Sequence, residues 1–394
     1  MNDQVNIILS DVLKPAGGPS GYLYNLRLSL TANNISNIHL ISFPNSINTP
    51  TKNKSKIKIK IENLKKYFYS ADYRIKKIEK GNLNLFSSFF KTFENELKGA
   101  DINHFHLTKD LYYFKKMYPE SNTINILTSH SPQPPYLEVY DILISEGYSQ
   151  EKAEKIATFQ KEIDQFAFIN SDFIVFPCEQ AVEPYADFLK ENNISKEKLK
   201  YVITSSEKMK YSKNNDEFRK EYSIPENAII LSYVGRKNHI KGFDVFNDLA
   251  SRFKHDDRFY FISAGIGPIN PIEMKNFIDI GWTNDPGSII NASDYVVVPN
   301  RDTYFDLGVI QTMSLGKTII TTPTGGNKWF IDKDLDFIFF NIDELDSLVE
   351  TIKTRHPSNA KKNEHFFNEI LDNNFFAINY SKFYTSILEN YTYL

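Results

Sequence analysis

The chain has 394 residues and a net charge of −3, with Lys and Arg numbering 46 against 49 Asp and Glu. That length is two domains on a prior of roughly 150 residues each, and the charge balance gives no global attraction to nucleic acid. The single cysteine, Cys178, excludes an internal disulfide framework and a cysteine-based zinc site, which fits a reducing, cytoplasmic compartment.

The opening residues lack a basic region and a long apolar stretch, so no signal peptide is expected, and no window approaches the ~20 apolar residues of a membrane span. Residues 5–9 read as a buried strand. A glycine-rich loop over 14–21, containing Gly17 and Gly18, leads into a helix over 22–32. Such a loop lets backbone approach a phosphate, although its spacing is not G-x-G-x-x-G. A plain turn is the competing reading. Residues 39–43 form a second strand, and 56–61 alternate Lys with Ile as an edge or half-buried strand does. From Lys52 to Lys80 there are ten Lys and one Arg against three acids, interleaved with Tyr67, Phe68, Tyr69 and Tyr73. A solvated face accounts for this run, and a surface for an anionic membrane is the alternative.

Residues 101–106 begin a strand carrying His104 and His106, with no third ligand at a zinc spacing. Residues 125–128 are another strand, followed by Ser129, His130 and Ser131. His130 therefore sits at a strand C-terminus, where open α/β sheets bind ligands. Prolines over 132–135 break the chain. A long helix follows over 148–170, then a strand over 172–177, with Cys178 read as packing. Residues 200–204 close the first sheet. The polar stretch 207–227 reads as a hinge with a short helix.

A strand over 229–234 opens the second domain. Its loop carries Arg236 and Lys241, a small cationic cradle in which Arg can grip a phosphate bidentately and Lys acts as a point charge. A surface charge pair is the plain alternative. A helix over 243–253 and a strand over 259–264 lead to Gly265 and Gly267. A short strand over 278–281 precedes Trp282 and Thr283. Residues 294–327 then read as strand, polar loop, helix, strand: a βαβ unit. Leu307, Val309, Ile310 and Met313 mark the helix, and Gly316 stops it. Asp332, Asp334 and Asp336 lead into an apolar strand and are discounted as a metal site. Helices over 343–354, 359–371 and 375–393 finish the chain.

The 294–327 stretch resembles the donor-sugar signature of the retaining glycosyltransferases of family 4, in which a Glu, seven residues and a second Glu precede a small-residue helix end and a Gly. Aligned on Met313 to Gly316, the two Glu positions fall at Thr303 and Gln311, and neither is Glu here. Arg236 with Lys241, the glycine loop at Gly17 and Gly18, the His104 and His106 strand and His130 match the family in turn. The resemblance implies an α/β, GT-B fold: two Rossmann-like domains, a nucleotide-sugar cleft between them, and a C-terminal helix crossing back. The expected bounds are 1–205, a linker over 206–227, 228–375 and 376–394. It also implies His130, Arg236, Lys241 and Thr303 at the reaction centre. Gly17, Gly18, Gly267, Trp282, Thr283, Tyr304, Phe305, Asp306, Leu307 and Gln311 would line the donor. No metal and no cofactor are implied.

The expected activity is retaining transfer of a hexose or related sugar from a nucleotide-diphosphate sugar, UDP favoured. The acceptor would be a glycan or lipid-linked oligosaccharide of a bacterial surface polysaccharide, at the inner face of the plasma membrane. The alternative is a catalytically silent GT-B subunit that stabilises a partner enzyme or binds a glycan. The loss of both glutamates favours the second reading; the retained Arg236, Lys241 and His130 favour the first.

Overall fold

The computed structural model describes residues 4–15, 18–43, 69–355 and 360–391. These form two compact units. One takes residues up to 177, 182–202 and those from 377 onward; the other takes 178–181 and 203–376.

Unit 1 holds six parallel strands: β1 (Val5–Val12), β2 (Ile38–Phe43), β3 (Ile102–Phe105), β4 (Ile124–Leu127), β5 (Phe173–Phe176) and β6 (Leu199–Tyr201). Their order across the sheet is β2-β1-β3-β4-β5-β6. Strands β3 and β4 are buried throughout, as strands covered on both faces should be, with Asn103, His104 and Asn125 buried among their apolar residues. Chain order reverses between β1 and β3, so the crevice for a ligand in such a sheet opens at their C-terminal ends. The helix Gly18–Ala32 begins four residues before the expected start, with Gly18 at φ +77°. The last helix, Asn373–Tyr391, docks its later part in this unit: Ala377 N donates to Ser29 Oγ at 2.9 Å, and the Tyr22 and Tyr380 hydroxyls meet at 2.7 Å.

Among the described α-helices of unit 1, five were not expected from the sequence; of these Glu94–Gly99 and Ala186–Glu191 are short. Ala71–Thr92 is capped by Ser70, whose side chain accepts from Tyr73 N, and buries Phe86, Phe89 and Phe90. Thr108–Met117 buries Leu111, Tyr113 and Phe114. Pro135–Ser145 begins at the last of the prolines read as a break, because proline suits the first helical turn, where its missing N–H costs nothing. The expected strand over 56–61, Gly17, and the basic run up to residue 68 lie outside the described residues.

Unit 2 holds β7 (Ile229–Val234), β8 (Phe259–Ala264), β9 (Phe277–Gly281), β10 (Tyr295–Val298), β11 (Thr318–Thr321) and β12 (Phe337–Phe339), all parallel. The order is β12-β11-β10-β7-β8-β9, with the switch point between β7 and β10. Leu231, Phe246, Phe261, Tyr295, Val297 and Ile320 share one buried core. Each such side chain contributes about 1.5–3 kcal/mol by leaving water. Asp294 pins the register at the switch point by accepting from Ile230 N at 2.8 Å.

The stretch expected to be a hinge is fastened to unit 2. Met209 N donates to Ser314 Oγ at 3.0 Å, Ser212 N to Ser288 Oγ at 3.1 Å, and Lys208 pairs with Glu364 at 2.5 Å. Its helix, Asn215–Glu221, carries a complete capping box from Asn214 and Glu217.

Candidate functional site

The loops after β7 and β10 meet at the unit 2 switch point. Lys241 Nζ reaches Asp306 Oδ2 at 2.6 Å, and Asn300 Nδ2 donates to the same oxygen at 2.7 Å. The other carboxylate oxygen accepts from Gly308 N at 2.8 Å, capping the helix Leu307–Met313. Burial pushes the Asp306 carboxyl upward, but the Lys241 charge and these hydrogen bonds outweigh it and hold it below the usual carboxylate range. Asp306 is therefore an anion held by an internal cation.

Arg301 makes a second bridge between the same loops. Its guanidinium grips Asp244 at 2.9 and 2.6 Å and donates to the His239 carbonyl at 2.6 Å. Sequence reading missed Arg301, because its partner lies 57 positions away and no motif marks it. The loop after β11 buttresses the loop after β10. Thr324 Oγ1 donates to the Arg301 carbonyl at 2.9 Å, and Gly326 N donates to the Thr303 carbonyl at 3.2 Å. A Cβ at Gly325 would lie 2.0 Å from the Thr303 carbonyl oxygen, so only glycine fits there.

The expected site residues fall into distinct settings. Arg236 is exposed; its carbonyl accepts from the Tyr233 hydroxyl at 2.6 Å, while its guanidinium makes no hydrogen bond or ion pair among the described residues. Gln311, half-buried on the helix Leu307–Met313, also has no side-chain partner among them. Trp282 is 71% exposed, on the loop after β9. Thr283 is half-buried and accepts from Asp285 N at 3.0 Å. Tyr304 and Leu307 are half-buried on the loop and at the helix start. Three others are occupied structurally. Thr303 is 3% exposed. Phe305 is buried against Trp329 and Phe330. Gly267 lies so close to the Lys237 carbonyl that a Cβ would meet its oxygen at 2.2 Å. Lys237 itself is buried and paired with Asp279, which also accepts from Ser263 Oγ at 2.7 Å. This buried pair too was missed, since a lysine beside Arg236 reads as surface.

In unit 1, the C-terminal ends of β3 and β4 bring three imidazoles together. His106 Nδ1 and His130 Nε2 are 2.6 Å apart, with the rings stacked at 4.9 Å. His104 is held on both sides, by Tyr384 OH at 2.7 Å and Thr128 Oγ1 at 2.8 Å. Burial lowers the pKa of all three, that of His130 to about 3, so each is neutral at pH 7. His130 has φ +61°, a costly conformation for a residue with a Cβ. Tyr185 braces it from both sides: its hydroxyl meets Ser129 Oγ at 2.5 Å and donates to the Ser131 carbonyl at 2.8 Å. Glu138 accepts from Ser131 Oγ at 2.7 Å. Strain kept in place by several bonds is a frequent mark of a working residue.

Among the described residues no cluster of three His, Cys, Asp or Glu side chains could hold a metal ion. Of the acidic triplet, Asp334 pairs with Lys362 at 2.6 Å and Asp336 with Arg355 at 3.7 Å. No described helix is long and apolar enough to cross a membrane.

Two doubly wound parallel sheets in one chain define the GT-B class. Solved structures agree over nearly its full length. Sucrose-phosphate synthase from Thermosynechococcus elongatus aligns with a TM-score of 0.67 at 15% identity, covering 98% of this chain and 99% of that one. Anabaena HepE in complex with UDP-glucose aligns at 0.63 and 10% identity, covering 97% and 99%. Residues 228–355 match the family model for glycosyl transferases group 1. The chain thus has the GT-B fold, and residues 228–355 of its second unit resemble the glycosyl transferases group 1 family. Among curated proteins it resembles the O-antigen biosynthesis glycosyltransferase WclY of Escherichia coli, 26% identical over 118 residues. That match spans 27% of this chain and 31% of the relative. It also resembles an Escherichia coli UDP-Gal:alpha-D-GlcNAc-diphosphoundecaprenol alpha-1,3-galactosyltransferase, 26% identical over 78 residues and 20% of each chain. The chain thus spans about a third or less of the length of these two curated relatives.

Proposed function

We propose that the chain is a retaining glycosyltransferase that moves a hexose or related sugar from a UDP-sugar to a growing bacterial surface glycan or glycolipid. The observation that carries this is the switch point of unit 2. There the Lys241–Asp306 pair fixes two loops, and the side chains of Arg236 and Gln311 have no hydrogen-bond partner among the described residues. Arg236 is free to grip a diphosphate bidentately, which lowers the barrier as negative charge develops on the leaving group. Gln311 can accept from ribose hydroxyls through its amide oxygen without charge assistance, and exposed Trp282 offers a ring face to a nucleobase. UDP is favoured because a UDP-Gal transferase is among the relatives and a structural neighbour holds UDP-glucose. In the reaction, the bond from the sugar's anomeric carbon to the diphosphate breaks and one to the acceptor oxygen forms on the same face. The leaving phosphate oxygen takes the acceptor's proton. No metal enters this scheme, and activity should survive EDTA.

Acceptor access follows the same reading. The helix Ala71–Thr92 exposes Tyr73, Ile78 and Leu83 together with Lys76, Lys77 and Lys80. An apolar and cationic surface of this kind suits an anionic bilayer, at about 1 kcal/mol per basic residue near the surface. Co-sedimentation with anionic vesicles that fails even at low salt would rule out this docking.

A silent partner subunit is the second reading, favoured by the burial of Thr303 where the family has a carboxylate. Incubation with UDP-glucose or UDP-galactose and a lipid-diphosphate acceptor separates the two. UDP release with an α-linked product supports the enzyme; no release with any UDP-sugar, in protein that binds UDP, supports the silent subunit.

A further inference from the structure

The three buried imidazoles of unit 1 pose a question of proton placement. Between His106 Nδ1 and His130 Nε2, at 2.6 Å, one nitrogen must carry the hydrogen and the other a lone pair. Two arrangements satisfy that bond. In the first, His106 donates, its Nε2 is a bare lone pair, and His130 carries its proton on Nδ1. In the second, His130 donates from Nε2, its Nδ1 is bare, and His106 must hold a proton on Nε2.

His106 Nε2 decides between them. It is buried and has no hydrogen-bond partner among the described residues. Orphaned buried N–H groups are rarer than under-used acceptors, and a donor left without an acceptor forfeits its full hydration. The second arrangement creates such an N–H; the first does not. The groups around the pair leave the imidazoles neutral in either case. His104 is tied to Tyr384 and Thr128, the Tyr22 ring meets His130 edge-on at 4.6 Å, and Tyr22 and Tyr380 share a hydroxyl contact. Tyr185 fixes the backbone on both sides of His130.

We propose that His106 is a positioning residue: its Nδ1–H donates to His130 Nε2 and so fixes His130 as the neutral tautomer with its proton on Nδ1. The His130 Nε2 lone pair is then taken up by His106. His130 therefore does not remove a proton at neutral pH, whichever group its Nδ1–H meets. Neither the tautomer nor that consequence rests on the glycosyl-transfer reading.

The test is long-range ¹H–¹⁵N NMR of the full chain labelled on histidine, with the His130 signals assigned from His130→Gln. The expected spectrum shows His130 protonated on Nδ1, bare at Nε2, and unchanged from pH 6 to 8. In His106→Ala the His130 proton should move toward Nε2, the form a neutral imidazole favours in water. In His106→Asn, whose amide returns an N–H near the Nδ1 position, the wild-type tautomer should persist. A wild-type His130 protonated on Nε2 overturns the proposal, as does an Nδ1 proton that ignores His106→Ala. If the alanine variant does not fold, the wild-type spectrum and the Asn variant decide alone. A wild-type spectrum as expected, in protein that releases no UDP, upholds the tautomer and removes only the glycosyl-transfer reading.

Discussion

Lys241 shows how a residue can be legible by type while its partner is not. Arg236 and Lys241 read as a phosphate cradle from their spacing alone, and both lie on the loop after β7. The structure adds that Lys241 is already engaged by Asp306, a contact across 65 positions that no local pattern encodes. Lys241→Ala therefore has two effects. It removes a candidate phosphate ligand, and it leaves a mostly buried carboxylate without its cation, at a cost on the order of 2–3 kcal/mol. Arg236→Ala, at an exposed side chain with no partner among the described residues, should change stability by less than about 0.5 kcal/mol. Chemical denaturation of the two variants checks this contrast. The sign of the Asp306 contribution follows from its depressed pKa: it is present above the ordinary carboxylate pKa and lost as pH falls below that value.

Among the elements, the helix Pro135–Ser145 carries the clearest lesson. Its four-residue proline-rich entry reads as a break, yet Pro135 occupies the first helical turn. What makes the turn viable is distant. Asp164, on the helix Gln150–Asn170, accepts from Tyr136 N at 2.9 Å, from Thr108 Oγ1 at 2.7 Å and from Gln160 Nε2 at 2.8 Å. Burial raises the Asp164 carboxyl to about 7 despite those bonds. A carboxyl whose folded pKa exceeds its unfolded value of 3.8 favours the folded state most fully below 3.8, and that advantage is lost as pH rises toward 7. Asp110, raised to about 6 and bonded to Ser10, acts with the same sign. Between pH 8 and 5 the stabilising contribution of Asp164 and Asp110 is opposed by His104, His106 and His130, which protonate in the unfolded chain but stay neutral in the folded one. Asp164→Asn isolates the first contribution: its melting temperature should fall further below that of the wild type at pH 5 than at pH 8, and a difference independent of pH would show that Asp164 does not titrate as described. Tyr185→Phe, which removes both braces on the His130 loop, should cost about 1–3 kcal/mol in denaturant unfolding. The helix Ala71–Thr92 was missed for another reason: its charge run masked the Phe86, Phe89 and Phe90 spacing that buries it.

At the scale of the whole molecule, the strands were the most legible part. Short β-branched and aromatic runs gave nine of the twelve described strands to within a residue at each end; β1 was read three residues short, β6 three residues too far, and β3 as a start only. The strand order was not legible, because pairing in a parallel sheet joins segments far apart in the chain and leaves no local trace. That order decides which loops converge. In unit 2 it makes β7 and β10 neighbours, so the loops bearing Lys241 and Asp306 meet, while Thr303 is sealed beneath the loop after β11. The central claim is that these loops bind a nucleoside diphosphate through Arg236. Isothermal titration calorimetry of the full chain with UDP, beside Arg236→Ala, tests it most directly. Saturable UDP binding by the wild type, unaffected by EDTA, is expected, with an affinity at least ~10-fold weaker in the variant, as loss of a charged hydrogen bond of about 1.5–3 kcal/mol requires. Equal affinity in the two proteins, or no UDP binding by the wild type, would contradict it.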